Sequence, residues 1–425
     1  MKATLSDPRR ESLDWLMQLG LTTARLFTRN GLGNHAAATA FFLMLSATPL
    51  LLLMTIALQW LAALAEQSNW AAILLAAFYD QLRLDQLADM GFIPNRARLT
   101  AGGVGVLTLV LSSRGLIQAV QSAFQVIFPD DSKRKLVVSW TLPLIILPVA
   151  FLLVGLAATA QTAIGYFART ELLGAGRAQL LQGLNLLVLL LAIWGLIFAA
   201  YWRMPLRRPR VRAAARVALV ASLTLLLLFS GFQLFFSVEK YRAVYGALGG
   251  VVFILIGAYF ACLAFYFWAQ CLYALSKVDV AALERLFLGG TGQGAGKLES
   301  YVFGRANRLL ARYGQTFVAG EAVIREGDDA QTAYFLYAGQ VDLYKRFDGQ
   351  EKHLGQLGEG ELFGEMAYLL GEKRTATVKA HGEVTLLALP PQMLEELMRY
   401  SAPLSRRIIA TLCQRLLRMN QAAGG

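Results

Sequence analysis

The sequence is short of the groups that do chemistry in water: only 16 % of its 425 residues are charged, and it holds three cysteines and three histidines. Soluble domains carry about 25 % charged residues, so a wholly aqueous protein is excluded. Cys262, Cys271 and Cys413 are scattered, the first two inside an apolar segment, and form neither a disulfide framework nor a zinc spacing. His35, His353 and His381 stand apart from any cysteine or carboxylate grouping, so no metal is expected. The N-terminus (MKATLSDPRRESLDW) is polar for too long to be a cleaved signal peptide, and the first apolar helix is expected to stay as an uncleaved anchor.

What is abundant is apolar surface, at 56 % hydrophobic residues, together with a net charge of +12. A basic chain suits nucleic acid or an anionic membrane, and the location of the charge decides between them. Between Thr316 and Pro390 there are twelve acidic residues against seven Lys and Arg, so the tail is acidic. The positive excess falls in the apolar part and its loops, the pattern of a membrane protein. The expected partner is therefore the lipid bilayer, with no nucleic acid.

A helical span takes about 20 mostly apolar residues. Six stretches qualify: His35–Ala65, Gly102–Ile127, Leu136–Thr162, Leu180–Trp202, Ala213–Phe236 and Ala247–Leu275. Glu66–Thr100 holds a ten-residue apolar run, Trp70–Tyr79, which is too short to span and reads as an interfacial helix, with a seventh span as the alternative. Basic residues precede the first span (Lys2, Arg9, Arg10, Arg25, Arg29), follow the second (Lys133, Arg134, Lys135) and follow the fourth (Arg203, Arg207, Arg208, Arg210, Arg212). The other loops mix signs. Positive-inside bias then puts both termini in the cytoplasm.

Lys277–Leu288 reads as a short amphipathic helix after the last span, and Gly289–Gly296 as a flexible hinge. Gly296-Lys297 invites a phosphate-loop reading. Thr291 stands where that motif needs its first glycine, however, and Leu298 where it needs a metal-holding hydroxyl.

From Gln315 onward the pattern is of short strands broken by glycine: Thr316–Val318, Ala322–Arg325, Ala333–Tyr337, Gln340–Arg346, His353–Leu357, Arg374–Ala380 and Val384–Leu389. Many short strands at close spacing indicate a β-roll or jelly roll. Leu394–Tyr400 and Leu404–Met419 read as closing helices. In the second of these, Leu404, Ile408, Ile409, Leu412, Leu416 and Leu417 form a stripe suited to packing on the barrel, or otherwise to a dimer seam. The dimer-seam alternative would make the chain a homo-oligomer. The residues after Met419, Asn420–Gly425, leave no helix-turn-helix, so a DNA-binding regulator is not expected. The fold class is an α-helical transmembrane bundle of six spans plus a C-terminal β-roll or jelly-roll domain with flanking helices.

The segment FGEMAYLLGEKRTATV (Phe363–Val378) concentrates the chemistry. Gly364 allows close backbone approach, and the turn from Glu365 to Tyr368 can aim several N–H groups at one anion. Glu365 offers acceptors to a ribose hydroxyl, and Arg374 a bidentate partner for a phosphate. With Gly339–Tyr344 and Ala319–Gly327, this segment resembles the cyclic-nucleotide-binding domain of catabolite-activator and protein-kinase regulatory proteins. The resemblance covers about 100 residues. It implies that Glu365 grips the ribose 2′-hydroxyl, Arg374 the cyclic phosphate, and the amides of Met366 and Ala367 the same anion, with Phe363 and Gly364 leading in. Thr375 and Ala376 would line the base side. Lys373 departs from the family, which often has proline there. Cyclic AMP is the default ligand, and Thr375 would favour cGMP.

In the membrane part, Gly31–Pro49, Leu111–Phe124 and Tyr245–Leu248 resemble signatures of the YihY/BrkB membrane family. That resemblance implies six helices in a bacterial inner-membrane protein of poorly defined activity. Arg114, with Gln118 and Gln121 on the same helical face, is either an intramembrane functional charge or an arginine that snorkels to the headgroups. No clustered carboxylates or histidines support a nuclease, so no enzyme is expected. The expected organisation is 1–34 cytoplasmic, 35–275 membrane domain, 276–312 helix and Gly-rich linker, and 313–425 cyclic-nucleotide-binding domain. The expected function is a transporter- or channel-like module regulated by cAMP or cGMP. The alternative is a non-transporting envelope protein whose tail is a sensor or an inert tether.

Overall fold

The structure is a computed structural model and describes residues 8–46, 101–129, 175–205, 208–235, 249–288, 307–347 and 350–423. The chain divides into two compact units: Thr23–Tyr273, and a second made of Met1–Thr22 with Ala274–Gly425.

In the first unit the apolar stretches fold as long helices: α2 (residues 32–46), α3 (Ala101–Ile127), α4 (Ala175–Arg203), α5 (Val211–Phe235) and the start of α6 (Gly249–Leu288). The helix before them, α1 (Pro8–Arg29), ends at Gly31, whose φ of 60° lets the chain turn into α2. Three described helices carry windows long and apolar enough to cross a membrane: Leu186–Arg203, Val211–Phe232 and Val251–Leu288. These match the fourth, fifth and sixth expected spans. The second expected span is a helix, α3. Most of the first, all of the third and the interfacial segment lie outside the described residues.

Apolar side chains give neighbouring helices no preference in lipid, so hydrogen bonds and close packing must set their register. Asn30 Nδ2 donates to Gln270 Oε1 at 3.0 Å, Thr39 and Tyr266 share a bond of 2.7 Å, and Ser122 meets His35 Nδ1 at 3.2 Å. Trp194 Nε1 donates to the Ala215 carbonyl at 3.0 Å, tying α4 to α5. Arg114 and Gln118 are exposed on α3 and Gln121 is half-buried.

Helix α6 overturns one expected boundary. Its 40 residues extend about 60 Å, roughly twice a hydrocarbon core. The amphipathic piece at Lys277–Leu288 is therefore no separate helix but the end of the last span. Ser276, Lys277 and Asp279 interrupt the apolar run, yet no glycine or proline between Leu275 and Leu288 breaks the backbone. From Ala274 onward this helix belongs to the second unit.

Among the described residues, the second unit holds, besides its parts of α1 and α6, helix α7 (Asn307–Tyr313), eight strands and three more helices. Strands β1 (Gly314–Phe317), β8 (Val384–Leu389), β3 (Ala333–Ala338) and β6 (Leu362–Phe363) form one antiparallel sheet in that order. Strands β2 (Ala322–Ile324), β7 (Thr377–Ala380), β4 (Val341–Phe347) and β5 (Gln350–Leu357) form the other. Alternation in the strands buries Ile324, Leu336, Val341, Val378, Val384 and Leu386 between the sheets. Strand limits differ from expectation most at β7, which begins at Thr377 and leaves Arg374 to Ala376 outside the ladder, and at β5, which begins at Gln350 and not at His353; strand β6 was not foreseen.

Helices α8 (Glu365–Leu370), α9 (Pro391–Tyr400) and α10 (Ala402–Ala423) complete the unit. The buried Ser401 accepts the Leu404 amide at 3.3 Å, an N-cap for α10. Leu404 and Ile408 are buried in a second core, with Leu412 packed on it and Ile409 exposed. Leu404, Ile408 and Leu412 of the stripe thus pack inside their own domain.

On the β4 face, Asp342 accepts from His381 Nδ1 at 2.8 Å and meets His353 Nε2 at 3.4 Å. The His381 bond is the main reason the Asp342 carboxyl sits below its usual value, with His353 adding to it. A depressed carboxylate contributes stability above its unfolded value of about 3.9 and loses it as pH falls through the lower folded value. Asp342→Asn should therefore flatten the loss of stability as pH falls below about 4 relative to the parent. Denaturant midpoints measured across that window check it.

Candidate functional site

The site grows from one turn. Strand β6 delivers Phe363, which is 2 % exposed and stacks on Tyr334 with ring centroids 5.6 Å apart. Gly364 follows at φ 76°, and helix α8 starts at Glu365 with no side chain capping its first turn. The opening amides of Glu365, Met366 and Ala367 have no acceptor within the helix. Glu365 is 2 % exposed, Ala367 is buried and Met366 half-buried. Gly371, at φ 68°, ends the helix and sends the chain back past the turn as extended coil.

That coil carries Arg374. Its amide donates to the Asp328 carbonyl at 3.0 Å and its carbonyl accepts from Gly327 at 2.9 Å, which clips the coil to the turn after β2. The side chain reaches back across the site and is 5 % exposed. Nη1 donates to the Gly364 carbonyl at 2.6 Å and Nη2 to the Thr332 carbonyl at 2.5 Å. Among the described residues its buried Nε has no acceptor. Burial pulls the guanidinium below its usual value, while Tyr334, Asp328 and Glu365 push it back up.

A cation held out of water, with an N–H to spare and helix-start amides nearby, is an anion anchor. The neighbouring buried carboxylate can accept from a hydroxyl. The turn therefore assembles the features that a sugar phosphate needs. The fold brings Phe363, Gly364, Glu365, Met366 and Ala367 together with Arg374, as the sequence suggested. Thr375 is exposed and Ala376 half-buried just beyond it. The carbonyls of Thr332 and Asp328 were not foreseen, because a main-chain acceptor leaves no mark in residue type. Arg114, Gln118 and Gln121 belong to the other unit. A shallow depression of about 360 Å³ lined by Gly339, Glu359, His381 and Glu383 contains none of the site residues.

Gly364 is required twice over. Its φ favours glycine, and a Cβ there would lie 2.7 Å from Arg374 Nη1 and 2.9 Å from Ile324 Cδ1. Gly364→Ala should cost about 1–3 kcal/mol and displace the guanidinium. A melting curve should shift down by about 4–8 °C per kcal/mol, with weaker ligand binding in the same variant.

With this geometry in view, the comparisons with known proteins fall into two parts. The family described as Virulence factor BrkB matches residues 23–285, and the family described as Cyclic nucleotide-binding domain matches residues 315–401. The tail is similar to the cAMP-dependent protein kinase type II regulatory subunit of Drosophila melanogaster, 37 % identical over 84 residues, which are 20 % of this chain and 22 % of that protein. It is also similar to the cyclic AMP receptor protein of Thermus thermophilus, 36 % identical over 98 residues, 23 % of this chain and 45 % of that one. The crystal structure of the catabolite activator protein of Thermus thermophilus aligns at 29 % identity and a TM-score of 0.26, covering 32 % of this chain and 59 % of that chain. The aligned part is less than half the length of both curated relatives.

Proposed function

This chain belongs to the virulence factor BrkB family and carries a cyclic nucleotide-binding domain behind the family's region, and from that premise we propose that it is a membrane protein regulated by cAMP or cGMP. The observation that carries the reading is Arg374, buried beside Glu365 at the uncapped start of α8, with Nε lacking an acceptor among the described residues. In the proposed complex the cyclic phosphate takes Arg374 and the amides of Met366 and Ala367. Glu365 takes the ribose hydroxyl, and Thr375 and Ala376 flank the base. The names of the relatives make cAMP the first ligand to try. Exposed Thr375 is the group whose hydroxyl would favour cGMP.

The membrane part acts in this proposal as a non-enzymatic, transporter- or channel-like module. It sits in a bacterial inner membrane with its tail in the cytoplasm. The apolar helices and the basic loops support that placement. The experiment is flux from vesicles holding the purified chain and loaded with K⁺, Cl⁻ and H⁺ reporter dyes, with and without cAMP or cGMP. Nucleotide-dependent flux is expected. Identical traces would reduce the module to a structural one with a sensor or tether attached.

A further inference from the structure

The end of helix α6 is held on several sides by the nucleotide-binding unit. Asp279 pairs with Arg308 and, at 2.7 Å, with Arg312, both on α7. Lys277 pairs with Glu396 on α9. Arg407 on α10 donates to the Phe287 carbonyl at 2.6 Å, placing a cation at the negative end of the helix dipole. The Phe287 ring meets Phe335 of β3 with centroids 4.3 Å apart. Partly exposed ion pairs fix register more than they stabilise. The energy lies in Val280, Leu283 and Phe287, buried at 1 %, 0 % and 5 % exposure.

That core also includes Leu362 of β6, Leu394 and Leu397 of α9, and Leu404 and Ile408 of α10. Tyr368 and Leu369 of α8 pack against it. The helix whose first turn carries Glu365 therefore shares one apolar core with the last turns of the final span. Packed cores switch between discrete arrangements and do not deform continuously.

We propose that Ala274–Leu288, the end of the last spanning helix, is the element that receives the nucleotide signal from α8 through this shared core. The proposal rests on the nucleotide-binding reading above. It makes the docked helix, and not the glycine-rich hinge, the route by which the tail acts on the spans. Docking holds α8 through Tyr368 and Leu369, in the arrangement that buries Glu365 and Arg374 together, so loosening it weakens binding. By reciprocity, binding then tightens the docking.

The experiment measures cAMP affinity and hydrogen exchange on the full chain in micelles, for the parent, Arg407→Ala and Phe287→Ala. Neither side chain belongs to the nucleotide turn. Arg407 is exposed, so its variant keeps the fold. Saturating cAMP should slow exchange across 274–288, and each variant should bind cAMP about fivefold or more weakly. Arg407→Lys, which can still donate to the carbonyl, should restore most of the affinity. A parent that binds cAMP with unchanged exchange in 274–288, or an Arg407→Ala variant that binds within about twofold of it, overturns the coupling alone. A parent that binds neither nucleotide at millimolar concentration overturns the nucleotide reading, and the coupling falls with it.

Discussion

Arg374→Ala should weaken cyclic nucleotide binding about 30-fold or more. Removing one partner of a buried charge pair costs about 2–5 kcal/mol, and each 1.4 kcal/mol is about a factor of ten. Arg374 would lose its hold on the phosphate and would also release the Gly364 and Thr332 carbonyls it now bridges. Arg374→Lys keeps the charge but cannot span both carbonyls and a phosphate, so an intermediate loss is expected. Glu365→Ala removes one charged hydrogen bond to the ribose, worth about 1.5–3 kcal/mol, and should cost about 10-fold to 100-fold. Calorimetry on the three variants, with melting curves to confirm folding, separates a lost contact from a lost domain.

Cutting the chain at residue 298 should leave the tail unable to fold stably, whereas a cut at residue 274 should not. The first cut follows the apparent domain boundary in the sequence. It also removes Val280, Leu283 and Phe287, three side chains buried in the core beneath α9 and α10. At about 1.5–3 kcal/mol per buried apolar side chain, the loss is about 5–9 kcal/mol. Whole domains are stable by only about 5–15 kcal/mol. The shorter fragment should show no cooperative melt by circular dichroism, and the longer one a single transition. Equal melting temperatures would mean that the end of α6 is a passenger on the domain.

The contrast shows what a sequence can carry. The barrel was legible because strand alternation and glycine breaks are local: Val384–Leu389 was expected and found, with its buried positions facing the core. The turn that gathers Gly364, Glu365 and Arg374 was legible because these residues lie within one short segment. Strand β6, two residues long, has too few positions to show a period. The end of α6 was misread for a different reason. Lys277, Asp279 and Arg285 look like a solvated helix when taken alone. The partners of Lys277 and Asp279 are Glu396, Arg308 and Arg312, distant in sequence and invisible to any local pattern. The Thr332 carbonyl was invisible for the same reason as any backbone acceptor.

This BrkB-family chain is expected to bind a cyclic nucleotide at Arg374 and Glu365. Isothermal titration of the full chain in micelles with cAMP, and separately with cGMP, measures this binding most directly. Saturable binding of at least one nucleotide at one site per chain is expected, with the affinity of Arg374→Ala about 30-fold or more weaker. No heat from either nucleotide at millimolar concentration, or equal heat from the parent and Arg374→Ala, would contradict it.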